Sequence, residues 1–112
     1  MSLSIEPQAD ARFVRLAGEL AGEDSKALSD AVNELLDGGA SRIVLDMSGV
    51  AYVNSGGLGA LVQITAKVNA RQGRLLLAGP SPFVQGVLES TRLDRFFDIY
   101  PSVDEARKQI AG

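Results

Sequence analysis

The run "RIVLDM", residues 42–47, constrains the fold more than any other stretch of the chain. Its apolar residues do not alternate with polar ones. A strand that is apolar on both sides needs cover on both faces, the usual state of a strand inside a parallel sheet. Parallel neighbours cannot be joined by a tight turn; each needs a crossover long enough to hold a helix. The remaining sequence should therefore alternate strands with helices.

It does. Leu3 and Ile5 in "LSIEP" fall at period two and predict a short first strand ended by Pro7. "RFVRLAG", residues 12–18, predicts a second strand, paired with the first as a hairpin across "PQADA". In "EDSKALSDAVNELLDGG", Leu28, Ala31, Val32, Leu35 and Leu36 share one helical stripe. Asp24 or Ser25 is positioned to cap that helix, and Gly38 to take the left-handed position at its end. After "RIVLDM", "GVAYV" (residues 49–53) leads into "NSGGLG", and a helix follows from about residue 57 to 71, with Leu58, Leu61, Val62, Thr65 and Val68 inward. "GRLLLAG" is another buried strand. "SPFVQGVLES" opens a helix with Ser81 as cap and Pro82 at the first helical position. "RFFDIY" predicts a short last strand, and "SVDEARKQI" a helix with the capping box Ser102 and Glu105.

The order β β α β α β α β α defines an α/β fold: a mostly parallel sheet of four to five strands, with about four helices and an antiparallel N-terminal edge strand. A chain of 112 residues fits one domain spanning residues 1–112. No run approaches a membrane span, and "MSLSIEPQAD" lacks the basic start and apolar stretch of a signal peptide, so a cytoplasmic protein is expected.

Composition narrows the chemistry. With no cysteine there is no thiol nucleophile or disulfide, and with no histidine there is no Ser-His-Asp triad or usual zinc set. A net charge of −3 argues against wrapping nucleic acid. No cofactor and no metal are implied.

Attention then falls on "YVNSGGLGALV", residues 52–62. Glycines between a strand and a helix can turn backbone N–H groups toward an anion. No G-x-x-x-x-G-K-[ST] is present, so this is not a nucleotide-hydrolysing P-loop. The run from Gly57 begins like a dinucleotide fingerprint, but Val62 holds the third glycine's place and "LLAGP" supplies no ribose-binding acid. Nor is Ser55 a nucleophile: Val53 and Asn54 precede it instead of G-x, and there is neither a histidine nor an S-x-x-K to activate it. Two readings remain. Asn54 and Ser55 are both favoured helix caps, so the loop can be a plain βα turn. Alternatively, Ser55 is a substrate. It sits at the carboxyl end of a strand, beside small neighbours that let another protein's active site approach. A phosphoryl group there adds about −1.5 to −2 charges at a helix N-terminus. The fold tolerates that charge; a partner docked on the uncharged surface does not.

Other polar residues have plainer readings. Asp46 ends a buried strand and is expected to bond nearby backbone. Arg92 and Arg95, beside Phe96 and Phe97, read as a solvated face over core aromatics. Lys67, Arg71 and Arg74 read as a solvated helix end.

The order of elements, "LAGEL" after the second strand, the block "RIVLDMSGVAYVNSGGLGALV" and the tail "RLLLAGPSPFVQGVLESTRLDRFFDIYPSVDEA" together resemble a STAS domain, and more narrowly the bacterial anti-sigma factor antagonists. The resemblance covers nearly the whole chain. It implies a small cytoplasmic protein without enzymatic activity that, when unphosphorylated, binds an anti-sigma factor that is also a serine kinase. That kinase would phosphorylate one serine at the N-terminus of the helix after the third strand, and a PP2C-type phosphatase would reverse it. The family motif commonly reads Asp-Ser-Ser/Ala/Thr-Gly-Leu/Ile-Gly. Here Asn54 holds the acid's position, Ser55 that of the phosphorylated serine, and Gly56, Gly57, Leu58 and Gly59 the remainder, which together make the implied partner-binding loop. Ala21 stands where relatives often carry Asp after "GEL". Two alternatives accompany this reading: a non-switching STAS subunit of a stressosome-like scaffold or lipid-transport complex, and a small nucleotide-binding protein.

Overall fold

The computed structural model describes residues 1–8 and 10–111. Five strands form one sheet in the order β1-β2-β3-β4-β5. They are β1 Ser2–Gln8, β2 Ala11–Leu20, β3 Arg42–Val53, β4 Arg74–Ala78 and β5 Asp98–Tyr100. β1 runs antiparallel to β2, and every other pair is parallel. Four helices complete the fold: α1 Glu23–Asp37, α2 Ser55–Ala70, α3 Pro82–Ser90 and α4 Val103–Ala111. The expected α/β architecture with an antiparallel edge strand is what the chain adopts.

The two faces of the sheet are covered unequally. Val32 of α1, Leu61 and Ile64 of α2, and Val84 and Leu88 of α3 pack with Leu16, Ile43, Leu45 and Leu77 in one cluster. On the other face, Ala106 and Ile110 of α4 meet Phe13, Val44 and Leu76. Residues 43–47 of β3 are all buried, as the unbroken apolar run requires. Each fully buried leucine or isoleucine contributes roughly 2 kcal/mol against solvent exposure.

Several boundaries differ from the sequence expectations. Pro7 does not end β1, which continues to Gln8. β1 pairs only with β2, and an edge strand tolerates a residue that has no N–H to donate. Helix α1 is not capped by Asp24 or Ser25. Gly22 is its N-cap, at φ 56°, with no side-chain cap bond. At the other end Gly38 is at φ −80° and Gly39, at φ 96°, takes the left-handed position. Helix α2 starts at Ser55, two residues earlier than expected. In "RFFDIY" only residues 98–100 form strand, because Arg92 turns left-handed and residues 93–95 wind into a short 3-10 turn. Arg74 is not part of a helix end. It opens β4, bridges Asp98 at 3.0 Å and donates to the Gln109 carbonyl of α4. Ser81 caps α3 through Val84 N–H, and Ser102 accepts from Glu105 N–H, as the sequence predicts.

β3 is the strand that carries the functional loop. β4 pairs with it only as far as Asp46, so its last seven residues are held in the sheet by β2 alone. Along that edge β3 spends two more residues than β2. The pairing passes from Arg15–Asp46 to Ala17–Gly49, and from Gly18–Val50 to Glu19–Tyr52. These are bulges, which bend a strand and tighten its twist. The first is stabilised by Asp46, whose Oδ1 accepts from Ser48 N–H at 3.0 Å and from Ser48 Oγ at 2.6 Å.

Candidate functional site

The second half of β3 delivers Asn54 to the carboxyl edge of the sheet. Asn54 is extended, at φ −102°, and its Oδ1 accepts from Gly57 N–H at 2.9 Å, the geometry of an N-cap. Its backbone carbonyl accepts from Leu58 N–H at 2.8 Å, and its own N–H points to the Leu20 carbonyl at 3.4 Å. Ser55 is therefore the first residue of α2. It is exposed, as are Gly56 and Gly59; Asn54 is half-buried.

The three glycines of the loop have different reasons to be glycine. A Cβ on Gly57 would collide with the Leu20 carbonyl oxygen and press on Val53 at 3.0 Å. Gly57 is buried because the end of β2 passes directly under the first turn of α2. A Cβ on Gly59 meets nothing within 4 Å, and one on Gly56 meets only Asn54 Oδ1 at 3.4 Å. Neither has positive φ. Glycine inside a helix costs about 1 kcal/mol relative to alanine. Packing within the chain gives no return for that cost at position 59. What the missing side chains provide is a flush surface beside Ser55.

Ser55 lies on a shallow open groove of about 450 Å³ between the first turns of α1 and α2. Ser25, Lys26 and Ser29 line one side, and Ser55, Gly56, Gly59, Ala60 and Gln63 the other. No carboxylate lines it, and Lys26 is its one charged residue. The α1 residues could not be found from sequence as site residues, since a polar face on an amphipathic helix reads as solvated. Only the packing of α1 beside α2 brings them to Ser55. Near the same edge of the sheet, Tyr52 stacks on Phe83 with ring centroids 5.5 Å apart, both at least 40 % exposed.

Of the six loop residues expected to face a partner, the structure places Ser55, Gly56 and Gly59 on the surface, with Asn54 beside them. Gly57 points inward, and Leu58 packs against the core. Asp46 is buried and bonded to Ser48 and Arg15, which is the bland role expected of it. An apolar hollow of about 280 Å³ over Phe13 and Ile110 lies on the opposite face at the other end of the strands. Among the described residues there is no group of three or more acidic side chains able to hold a metal, and no helix is long and apolar enough to cross a membrane.

A five-stranded sheet in this order, with β1 antiparallel, the other pairs parallel and four helices, is the STAS fold. The STAS domain model matches residues 2–106, and the chain belongs to that family. Among its relatives, a candidate anti-sigma factor antagonist of Thermotoga neapolitana is 35 % identical over 80 residues, which is 71 % of each chain. The crystal structure of a candidate anti-sigma factor antagonist from Thermotoga maritima superimposes with a TM-score of 0.91 at 28 % identity, covering 98 % of this chain and 95 % of that one. The antagonist SpoIIAA shares the fold, with a TM-score of 0.78 at 20 % identity over 99 % of both chains in its unphosphorylated form. Its phosphorylated form from Bacillus gives 0.76 at 21 % identity over 97 % of this chain and 99 % of that one.

Proposed function

We propose that this chain is an anti-sigma factor antagonist working by partner switching, with Ser55 as the phospho-acceptor. Unphosphorylated, it binds an anti-sigma factor that is also a serine kinase, through the exposed residues of the Asn54–Gly59 loop and the adjoining face of α2. Phosphorylation of Ser55 by that kinase ends the binding, and a PP2C-type phosphatase restores it.

The observation that carries this reading is the pairing of an exposed Ser55 at the head of α2 with Gly59. The fold explains Gly57 and leaves Gly59 unexplained, and a close-approaching protein surface explains Gly59. The helix end tolerates a phosphoryl group, since the partial positive charge of the first turn favours an anion. A docked partner does not, because it would have to bury the added charge against a surface shaped for an uncharged serine. The names of the relatives point the same way. The chain has no histidine to activate Ser55 as a nucleophile, which supports a residue acted upon and not a catalyst.

The test is intact mass after incubation with the cognate serine kinase and ATP. A gain of one phosphate in the native chain, absent from Ser55→Ala, is expected. No gain would favour a STAS subunit that does not switch.

A further inference from the structure

We propose that a phosphoryl group on Ser55 is clasped across the α1–α2 groove by Lys26 and Ser25, so that the modified site closes on itself instead of projecting into solvent. This rests on the reading of Ser55 as phospho-acceptor and adds to it a device on a different helix.

Three observations converge. First, Lys26 is the one charged residue lining the groove that Ser55 occupies. Its present partner is weak: the ammonium is 3.9 Å from Asp30 Oδ2, and the two side chains are 81 % and 62 % exposed. Exposed pairs of this kind hold a lysine loosely, and a flexible four-carbon stem can redirect its charge. Second, Ser25 lines the same groove, and its hydroxyl is shielded from solvent and has no hydrogen-bond partner among the described residues. A buried hydroxyl without a partner is costly and rare, and a phosphoryl oxygen is a strong acceptor for it. Third, the first turn of α2 keeps donors in reserve. Asn54 occupies Gly57 N–H and Leu58 N–H, while Ser55 and Gly56 N–H have no intrahelical partner. Gly56 and Gly59 leave the floor between these groups clear.

The opposing charges are Asp30, which competes for Lys26, and the carboxylates of Glu19, Glu23 and Asp24 near this end of the molecule. None of the four lines the groove. A dianion within it therefore meets one cation and several N–H and O–H donors. Phosphorylation then acts twice on a docked partner, by placing charge at the interface and by filling the groove.

The clasp is tested on the full chain with phosphoserine installed at position 55 during translation, so that no kinase is needed. Phosphorus NMR follows the second ionisation of the phosphoserine with pH. A nearby cation favours the dianion, so the native chain should titrate about half a pH unit below Lys26→Gln. Equal midpoints would overturn the clasp. Ser25→Ala separates the hydroxyl's part. It should leave the melting temperature of the unphosphorylated chain unchanged or raised, and lower that of the phosphorylated chain. The same effect in both states would remove Ser25 from the clasp. Failure of the kinase to modify the native chain would refute the proposed switch while leaving these results intact, and equal midpoints would leave the switch intact.

Discussion

Gly57 sits directly on the carbonyl oxygen of Leu20, so closely that one added methyl group would collide with it. The same oxygen is the acceptor for Asn54 N–H. The end of β2 thus fixes both the cap and the first turn of α2, and with them the position of Ser55. The loop is a rigid mount for one hydroxyl.

Gly57→Ala should accordingly destabilise the chain by about 2–3 kcal/mol, since backbone lies where the methyl must go. Gly59→Ala should do the opposite, gaining about 0.5–1 kcal/mol from helix propensity. Urea denaturation monitored by circular dichroism measures both. The stabilised Gly59→Ala chain should bind the partner kinase more weakly than the native chain, because the flush surface beside Ser55 is lost.

Asn54→Ala should cost about 1 kcal/mol through loss of the cap bond to Gly57 N–H. Asn54→Asp keeps the cap and adds a charge that the helix end favours, a few tenths of a kcal/mol at neutral pH. The helix end lowers the folded pKa of the new carboxylate. Its advantage is therefore present above the unfolded value of about 4 and is lost as pH falls through the folded one. Melting temperatures of the two variants at pH 7 and pH 3 check the sign.

Asp46→Ala should cost about 1–2 kcal/mol, because Ser48 N–H and the Ser48 hydroxyl lose the carboxylate that holds the bulge. Arg15, on the other side of the same carboxylate at 3.3 Å, is 73 % exposed. Arg15→Ala should therefore change stability by no more than about 0.5 kcal/mol. Comparable losses in the two variants would show that the ion pair, and not the turn, holds β3 in place.

These relationships mark where sequence is informative. The order of elements was legible because punctuation and periodicity are local: Ser81 and Pro82 start α3, and the unbroken run at residues 42–47 fixes β3 inside the sheet. Pro7 misled because its effect depends on whether the strand has a second neighbour, which is a fact of topology. Gly38 and Gly39 are adjacent, and only the backbone decides which turns left-handed. Arg74 was assigned to a helix end because its partners, Asp98 and the Gln109 carbonyl, lie 24 and 35 residues away. At the site, Ser55 and its glycines were visible as a motif. The division between Gly57, which the fold demands, and Gly59, which it does not, needed Leu20 in place. Lys26 and Ser25 were invisible as site residues until α1 lay beside α2.

The central claim is that the charge state of Ser55 decides partner binding. The most direct measurement is a binding titration of the cognate serine-kinase anti-sigma factor with Ser55→Ala and Ser55→Asp chains. Residue 55 is exposed, so both variants should fold with stability within about 0.5 kcal/mol of the native chain. Ser55→Ala should bind like the unphosphorylated protein. Ser55→Asp should bind at least about tenfold more weakly, corresponding to about 1.4 kcal/mol for a charge at the interface. Equal affinity for the two variants would contradict the switch.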